Sequence, residues 1–220
     1  MLRKISFILL SLLIAISSAW AIQNPVDMLN KTIVVTQDKL MKSSKMYQED
    51  PYKLLALVDK KIIPVVSPEV MAQVIVGSKK WQAATPSDQK AFIKSATEML
   101  TFMYAKNVAS AGKYQLTLFP FDSANTSWKK KNIVIVNGKI TNTDNNQSSD
   151  FAVKMFKKND QWHIYDFDVA GVSILRTYQE QFASFKTVAD MTKASEKVTH
   201  KIKKKSYPKM LDKDYELKNV

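Results

Sequence analysis

The chain has 220 residues, 33 Lys and Arg against 20 Asp and Glu, a formal charge of +13 and 45% hydrophobic residues, the balance of a folded domain rather than a disordered chain. It contains no cysteine, which excludes disulfides, thiolate metal sites, cysteine nucleophiles and a lipid anchor on an N-terminal cysteine. Its two histidines, His163 and His200, leave little room for a histidine metal centre.

The first 21 residues read as a targeting segment. Arg3 and Lys4 precede an apolar run from Ile5 to Ile16, and Ala19-Trp20-Ala21 is a cleavage site of the A-x-A type. The run is shorter than the ~20 residues that span a bilayer. Cleavage after Ala21 removes two positive charges, leaving +11, and an exported mature protein is the expectation.

Four helix starts carry the same device, a capping residue followed by proline: Asn24-Pro25, Asp50-Pro51, Ser67-Pro68 and Thr85-Pro86. Each sets a side-chain acceptor at the N-cap and a proline at the first helical position, where a missing N–H costs nothing. The spacing predicts a first helix from about Pro25 to Tyr47, with Leu29, Ile33, Val34, Leu40 and Met41 on its apolar stripe. A second covers Tyr52 to about Ile62 and stops near Pro64. A third, from Glu69 to Val76, ends at Gly77. In the fourth, Thr85 and Asp88 stand three apart like a capping box, and Phe92, Ala96, Met99, Leu100 and Met103 repeat at helical spacing.

Beyond Gly112 the pattern turns to alternation. Tyr114, Leu116 and Leu118 alternate with polar residues as far as Pro120. Trp128 to Val136 is expected to be the second strand, closed by the turn dipeptide Asn137-Gly138. Phe151, Val153 and Met155 mark a third strand, Lys158-Asn159-Asp160 a turn, and Trp162 to Val169 an antiparallel return. A last helix from about Ser173 to Met191 carries Ile174, Leu175, Tyr178, Phe182, Phe185 and Val188. From Lys193 to the end there are nine lysines against four acids and few large apolar residues. That composition suggests a basic, flexible tail over 193–220, either with anionic membrane surfaces or polyanions as neighbours or simply solvated with no ligand; nucleic acid does not suit an exported chain. Helices, then hairpin-connected strands, then a closing helix describe an α+β domain over 22–192, with helices covering one face of an antiparallel sheet.

This order of motifs resembles the MlaC family of periplasmic phospholipid-binding proteins, the toluene-tolerance auxiliary components of ABC transporters. Four passages between residue 24 and about residue 191 carry the resemblance. They are Asn24-Pro25; Leu54 to Val66; Ala84-Thr85-Pro86 with the helix holding Phe92; and Trp162 to Phe182, reading W-H-I-Y-D-F-D-V-A-G-V-S-I-L-R-T-Y-Q-E-Q-F. The last is the most specific, a W-x-x-Y-D followed by G-V-S and a Y-x-x-x-F helix. The resemblance implies an NTF2-like cone, a curved sheet wrapped by helices around an apolar cavity. It implies phospholipid as cargo and no other cofactor. The implied partners are diacyl phospholipid, an inner-membrane MCE-domain protein of an ABC transporter, and an outer-membrane lipoprotein–porin complex in a system that maintains lipid asymmetry. Many members have a glutamate just before Gly-Val-Ser and an arginine just after the helix tyrosine, where this chain has Ala170 and Gln179. Arg176, three residues before Gln179, is the candidate replacement toward the headgroup.

Lipid carriage needs a deep apolar site, because each buried methylene is worth ~0.8 kcal/mol and a two-chain lipid does not wait in water for a shallow groove. Ten methionines and ten phenylalanines suit a site that closes when empty, since unbranched thioethers repack easily. The candidate lipid-binding residues are Leu55, Val58, Ile62, Val74, Phe92, Met99, Met103, Val153, Met155, Tyr165, Phe167, Val169, Val172 and Leu175. Strict alternation puts Tyr165, Phe167 and Val169 on one strand face, Trp162 and Ile164 on the other. Alignment with Phe151, Val153 and Met155 depends on hairpin register.

Two other classes compete. Asp166 and Asp168 share a strand face, with His163 on the opposite parity; they could serve as acid and base in an NTF2-like enzyme, or be solvated polar positions on an outer sheet face, the commoner role for such a pair. No G-x-S-x-G, metal-ligand cluster or phosphate loop in the sequence supports chemistry, so no catalytic residue or metal site is assigned. The other class is an exported scaffold whose basic tail binds polyanions.

Overall fold

A computed structural model describes residues 23–105, 112–121 and 127–207. The expected targeting segment and the chain beyond Tyr207 lie outside these residues. Eight helices and five strands are seen among them: α1 (Pro25–Lys42), α2 (Ser44–Glu49), α3 (Pro51–Lys61), α4 (Pro68–Val76), α5 (Ser78–Ala83), α6 (Pro86–Tyr104), β1 (Tyr114–Leu118), β2 (Ile133–Asn142), β3 (Ser148–Lys158), β4 (Gln161–Val169), β5 (Val172–Ser173), α7 (Ile174–Phe182) and α8 (Val188–Ser206). The architecture is α+β, with the strands in one curved antiparallel sheet in the order β1-β2-β3-β4-β5.

All four cap-and-proline starts are built. Asn24, Asp50, Ser67 and Thr85 accept hydrogen bonds from the backbone N–H of Val26, Tyr52, Val70 and Asp88, each with proline in the first turn. Gly77 stops α4 with φ of 82°, a conformation that costs a residue without a side chain nothing. The expected first helix is two, broken at Ser43. α5 follows Gly77 directly, and no periodicity announced it.

The second strand differs most from expectation. β2 begins at Ile133, Trp128 lies in a short 3-10 turn before it, and Asn137-Gly138 is inside the strand rather than in a turn. Gly138 pairs directly with Phe151. A Cβ there would stand 2.5 Å from Phe151 Cε1 and 2.5 Å from the Thr117 carbonyl oxygen, so the glycine is required by close approach. The chain reverses instead after Asn142. The Asn142 side chain accepts from Asp144 N–H, its backbone pairs with Gln147, and Asn146 takes a positive φ. The expected turn at Asn159-Asp160 is present, with positive φ at both residues, the two-residue form whose twist matches a hairpin.

The expected final helix is also two. α7 starts at Ser173, whose hydroxyl accepts from Arg176 N–H, and ends where Lys80 Nζ donates to the carbonyls of Ala183 and Phe185 at 3.0 and 2.6 Å. A capping box between Thr187 and Asp190 then starts α8. The tail expected to fray from Lys193 is helical as far as Ser206 and packs along α6. Hydropathy did not show this because the buried stripe of α8 is made of small polar residues. Thr192, Ser195 and Thr199 are buried, and each hydroxyl donates to the carbonyl four residues back, so the stripe is satisfied internally and lets α6 come close.

Two main apolar clusters result. One lies on the sheet face formed by Val134, Val136, Phe151, Val153, Met155, Trp162 and Ile164, under Val26 and Leu29 of α1 and Val66. The other joins α4, α5, α6, α7 and α8 around Phe92, Met99, Leu175, Phe182 and Met191. Met71 packs against both.

Candidate functional site

The sheet-side cluster is the candidate site, and a β-bulge decides its membership. Val153 pairs with Phe167 and Lys154 with Asp166, but Met155 pairs with Ile164. Tyr165 is therefore the extra residue, and parity along β4 reverses across it. Trp162 and Ile164, expected on the far face, join Phe167 behind Val153 and Met155. Tyr165, expected among them, sits on the opposite face with its ring 6.1 Å from Phe156, whose ring also lies 5.6 Å from that of His163 at a tilt of 33°. Burial raises the pKa of the Tyr165 hydroxyl, with Asp166 and Asp168 adding to the shift and Lys154 opposing it. The signal was present in the sequence: Trp162, Ile164, Phe167 and Val169 step by two, three and two.

The candidate residues fall into four groups. Ile62, Val153, Met155 and Phe167 meet in the sheet-side cluster. Val74, Phe92, Met99 and Leu175 lie in the helix-side cluster, where Phe92 is fully buried. Leu55 is buried and Val58 half-buried on α3, in neither cluster. Met103, Val169 and Val172 are exposed, the first within 3.9 Å of the Tyr178 hydroxyl. Arg176 is also exposed, and Gln179 donates to the Val74 carbonyl at 2.9 Å, tying α7 to α4. The sheet-side members not foreseen are Val134, Val136, Trp162 and Ile164 from the strands, with Val26, Leu29 and Val66 from the cover. Val134 and Val136 lie within the strand expected over Trp128 to Val136 but are not among the candidates.

The cover over this face is uneven. α1 buries Val26 and Leu29 in its first turns and half-buries Met28 and Ile33, while Val34, Val35 and Met41 further along are exposed. Its distal half is tied to β1 by Gln37, which donates to the Tyr114 carbonyl at 2.7 Å. The second part of the cover, residues 62–71, is pinned to the sheet where Ser67 N–H donates to the Ile164 carbonyl and Val66 bridges Ile164 in parallel. At the end of the sheet an open cleft of about 770 Å³ is lined by Phe119, Asn137, Asp150, Phe151, Asp168 and Ala170, among others, within the size range of ligand clefts.

Asp166 and Asp168 are not solvated residues of an outer face. The Asp166 carboxylate is buried and accepts from Lys154 Nζ (3.0 Å), Ser173 Oγ (2.7 Å) and the backbone N–H groups of Phe167 (2.8 Å) and Leu175 (3.2 Å). Asp168 contacts the same ammonium at 2.8 Å. Burial alone would lower the pKa of Lys154, but the hydrogen bonds and charges of Asp168 and Asp166 outweigh it and hold it above the ordinary lysine value. Both carboxylates are engaged with one cation, and the aspartate and serine of the W-x-x-Y-D…G-V-S passage bond to each other. That passage is a clasp fixing β3, β4, β5 and the start of α7. Among the described residues no group of three or more His, Asp and Glu side chains could hold a metal ion.

The site is thus an apolar face of a curved antiparallel sheet under a thin helical cover, with both strand carboxylates held by Lys154. Comparison with known proteins agrees on the fold and gives the family. The profile of the MlaC protein family matches residues 31–204, and the chain belongs to that family. It is similar to the phospholipid-binding protein from Ralstonia solanacearum, whose structure was solved in complex with a phospholipid. The two share 20% identity at a TM-score of 0.70, over 80% of this chain and 97% of the other.

Proposed function

We propose that this chain is a periplasmic phospholipid carrier, exported by the segment 1–21 and working between the two membranes of an envelope. In this reading the acyl chains lie between the sheet face of Val134, Val136, Val153, Met155, Ile164 and Phe167 and the cover of α1 and residues 62–71. Lipid is exchanged with an MCE-domain protein of an inner-membrane ABC transporter and with an outer-membrane lipoprotein–porin complex. Membership of the MlaC family over residues 31–204 carries the proposal. The phospholipid held by the structurally similar Ralstonia protein supports it. So does the composition of the layer, where half-buried Met28 and Met71 border the strands and unbranched thioethers adapt to variable tails. The carrier needs only to match the bilayer it draws from, so transfer in either direction stays near balance.

The deciding experiment is solvent extraction of protein purified from a Gram-negative periplasm, followed by mass spectrometry. Diacyl phospholipid is expected without added ligand, on a protein whose N-terminus is Ile22. Folded protein that is repeatedly lipid-free would refute the reading. Phe167→Asp locates the tails, because an unpaired ion facing hydrocarbon is penalised by several kcal/mol. It is expected to empty the protein, and a folded variant that retains its lipid would exclude this face.

A further inference from the structure

The lipid layer leaves one surface of α8 unused. Lys193, Lys197, Lys201 and Lys205 recur at every fourth residue along the helix, and all four are exposed. That spacing sets them in one row about 18 Å long. Among the described residues none of the four side chains has an ion pair or hydrogen bond. Glu196 is the exposed acid beside the row. Asp190 is held in the capping box, and Glu98 of the neighbouring α6 is taken by Lys203. Like charges at this spacing weaken a helix, so the row is a cost that the fold carries. α8 is held by its other side, where Lys203 turns inward to Glu98 at 2.6 Å and lies over the rings of Tyr52 and Phe102 at 5.0 and 4.8 Å.

We propose that this lysine row is the face by which the protein docks on an anionic phospholipid bilayer. The composition of the row selects a membrane over an acidic protein. Protein interfaces favour arginine, whose planar fork clamps carboxylates, together with aromatic anchors, and they are depleted in lysine. The row has neither arginine nor aromatic residue, and Arg176, the one arginine beyond Arg3, lies on α7. Ammonium groups on flexible stems suit a fluid array of headgroup phosphates, which needs no fixed geometry. Val198 is the large apolar residue exposed on α8, too little for insertion, so the helix rests on the surface by charge alone. The inference concerns how a carrier meets its membrane and does not depend on where the tails lie.

The test is co-sedimentation of the full chain with phosphatidylcholine vesicles, with or without phosphatidylglycerol. Binding is expected only to the anionic vesicles and is expected to fall with added salt. Lys197→Gln with Lys201→Gln is expected to weaken it on the order of tenfold or more, at about fivefold per lysine. The thermal transition should hold or rise, since the three like-charge contacts along the row are relieved. Lys129→Gln with Lys130→Gln removes the same charge elsewhere and is expected to weaken binding less. Equal loss in both double variants, or none in the row variant, overturns the proposal. So does unchanged vesicle binding with impaired delivery to an inner-membrane acceptor, which would assign the row to an acidic protein. Bound phospholipid, measured on the same samples, is expected to be unchanged, so failure of the row is distinguishable from failure of the carrier reading.

Discussion

Between α6 and α8 the packing is close and self-satisfied: Ser95, Ser195 and Thr199 are buried with their hydroxyls bonded within their own helices, and Lys203 joins Glu98 across the pair. Between the sheet and α1 the strands contribute fully buried Val136, Val153 and Met155, and the cover buries Val26, Leu29 and Val66 but leaves Met28, Ile33 and Met71 half-buried, with its far half tied through Gln37. Small residues in register leave a helix pair one good arrangement. Long flexible side chains over a smooth strand face leave several of nearly equal energy. The contrast divides the domain into a frame and a layer that can repack around a guest.

Truncation of the frame should therefore cost more than truncation of the layer in the lipid-loaded protein. Phe92→Ala removes a fully buried ring from the helix-side cluster and is expected to destabilise by about 3–5 kcal/mol whether or not lipid is bound. Met155→Ala is expected to cost about 2–5 kcal/mol in lipid-free protein and clearly less when tails fill the space. Thermal transitions of both variants, loaded and delipidated, decide this. Equal Met155→Ala penalties in the two states would remove the distinction between frame and guest layer.

The clasp between the two regions comes next. Asp166→Ala leaves Lys154 beside one carboxylate and frees the Ser173 hydroxyl and Leu175 N–H, an expected loss of about 3 kcal/mol or more, read by chemical denaturation. Lipid bound per folded molecule should be unchanged, because the carboxylate lies on the other strand face. The same clasp has a pH signature. The raised pKa of Lys154 means that its contribution is complete below the unfolded lysine value of about 10.4 and is lost as pH rises through the higher folded value. Wild-type stability is therefore expected to fall more steeply at alkaline pH than that of Lys154→Met, measured over that range.

Smaller effects sharpen the sheet side. Gly138→Ala forces Phe151 and the Thr117 carbonyl apart and is expected to cost about 1–3 kcal/mol, with altered near-ultraviolet circular dichroism. Ala170 has φ of 50° beside Gly171 at 80° in the turn between β4 and β5, a conformation disfavoured for a residue with a side chain. Ala170→Gly is expected to raise stability by up to about 1 kcal/mol, a gain visible as a small upward shift in the thermal transition.

Local chemistry made much of this protein legible in one dimension. The cap-and-proline starts, the Gly77 stop, the Asn159-Asp160 turn and the alternation of Phe151, Val153 and Met155 depend on neighbours a few residues away, so they could be read from spacing. The α+β order and the family resemblance in Trp162 to Phe182 followed from the same passages. Tertiary structure alone decided the rest. Gly138 is a packing glycine because a ring from another strand lies over it, which no local pattern records. The bulge at Tyr165 exchanged Tyr165 for Trp162 and Ile164 because parity is set by the partner strand. Residues 193–206 are helix, not tail, because their buried stripe is serine and threonine bonded to their own backbone against α6. Phe92, Met99 and Leu175 are as apolar as Val153 and Phe167, but they fill the frame rather than the sheet-side layer. Hydrophobicity states that a side chain will be buried, and only the packed chain states against what.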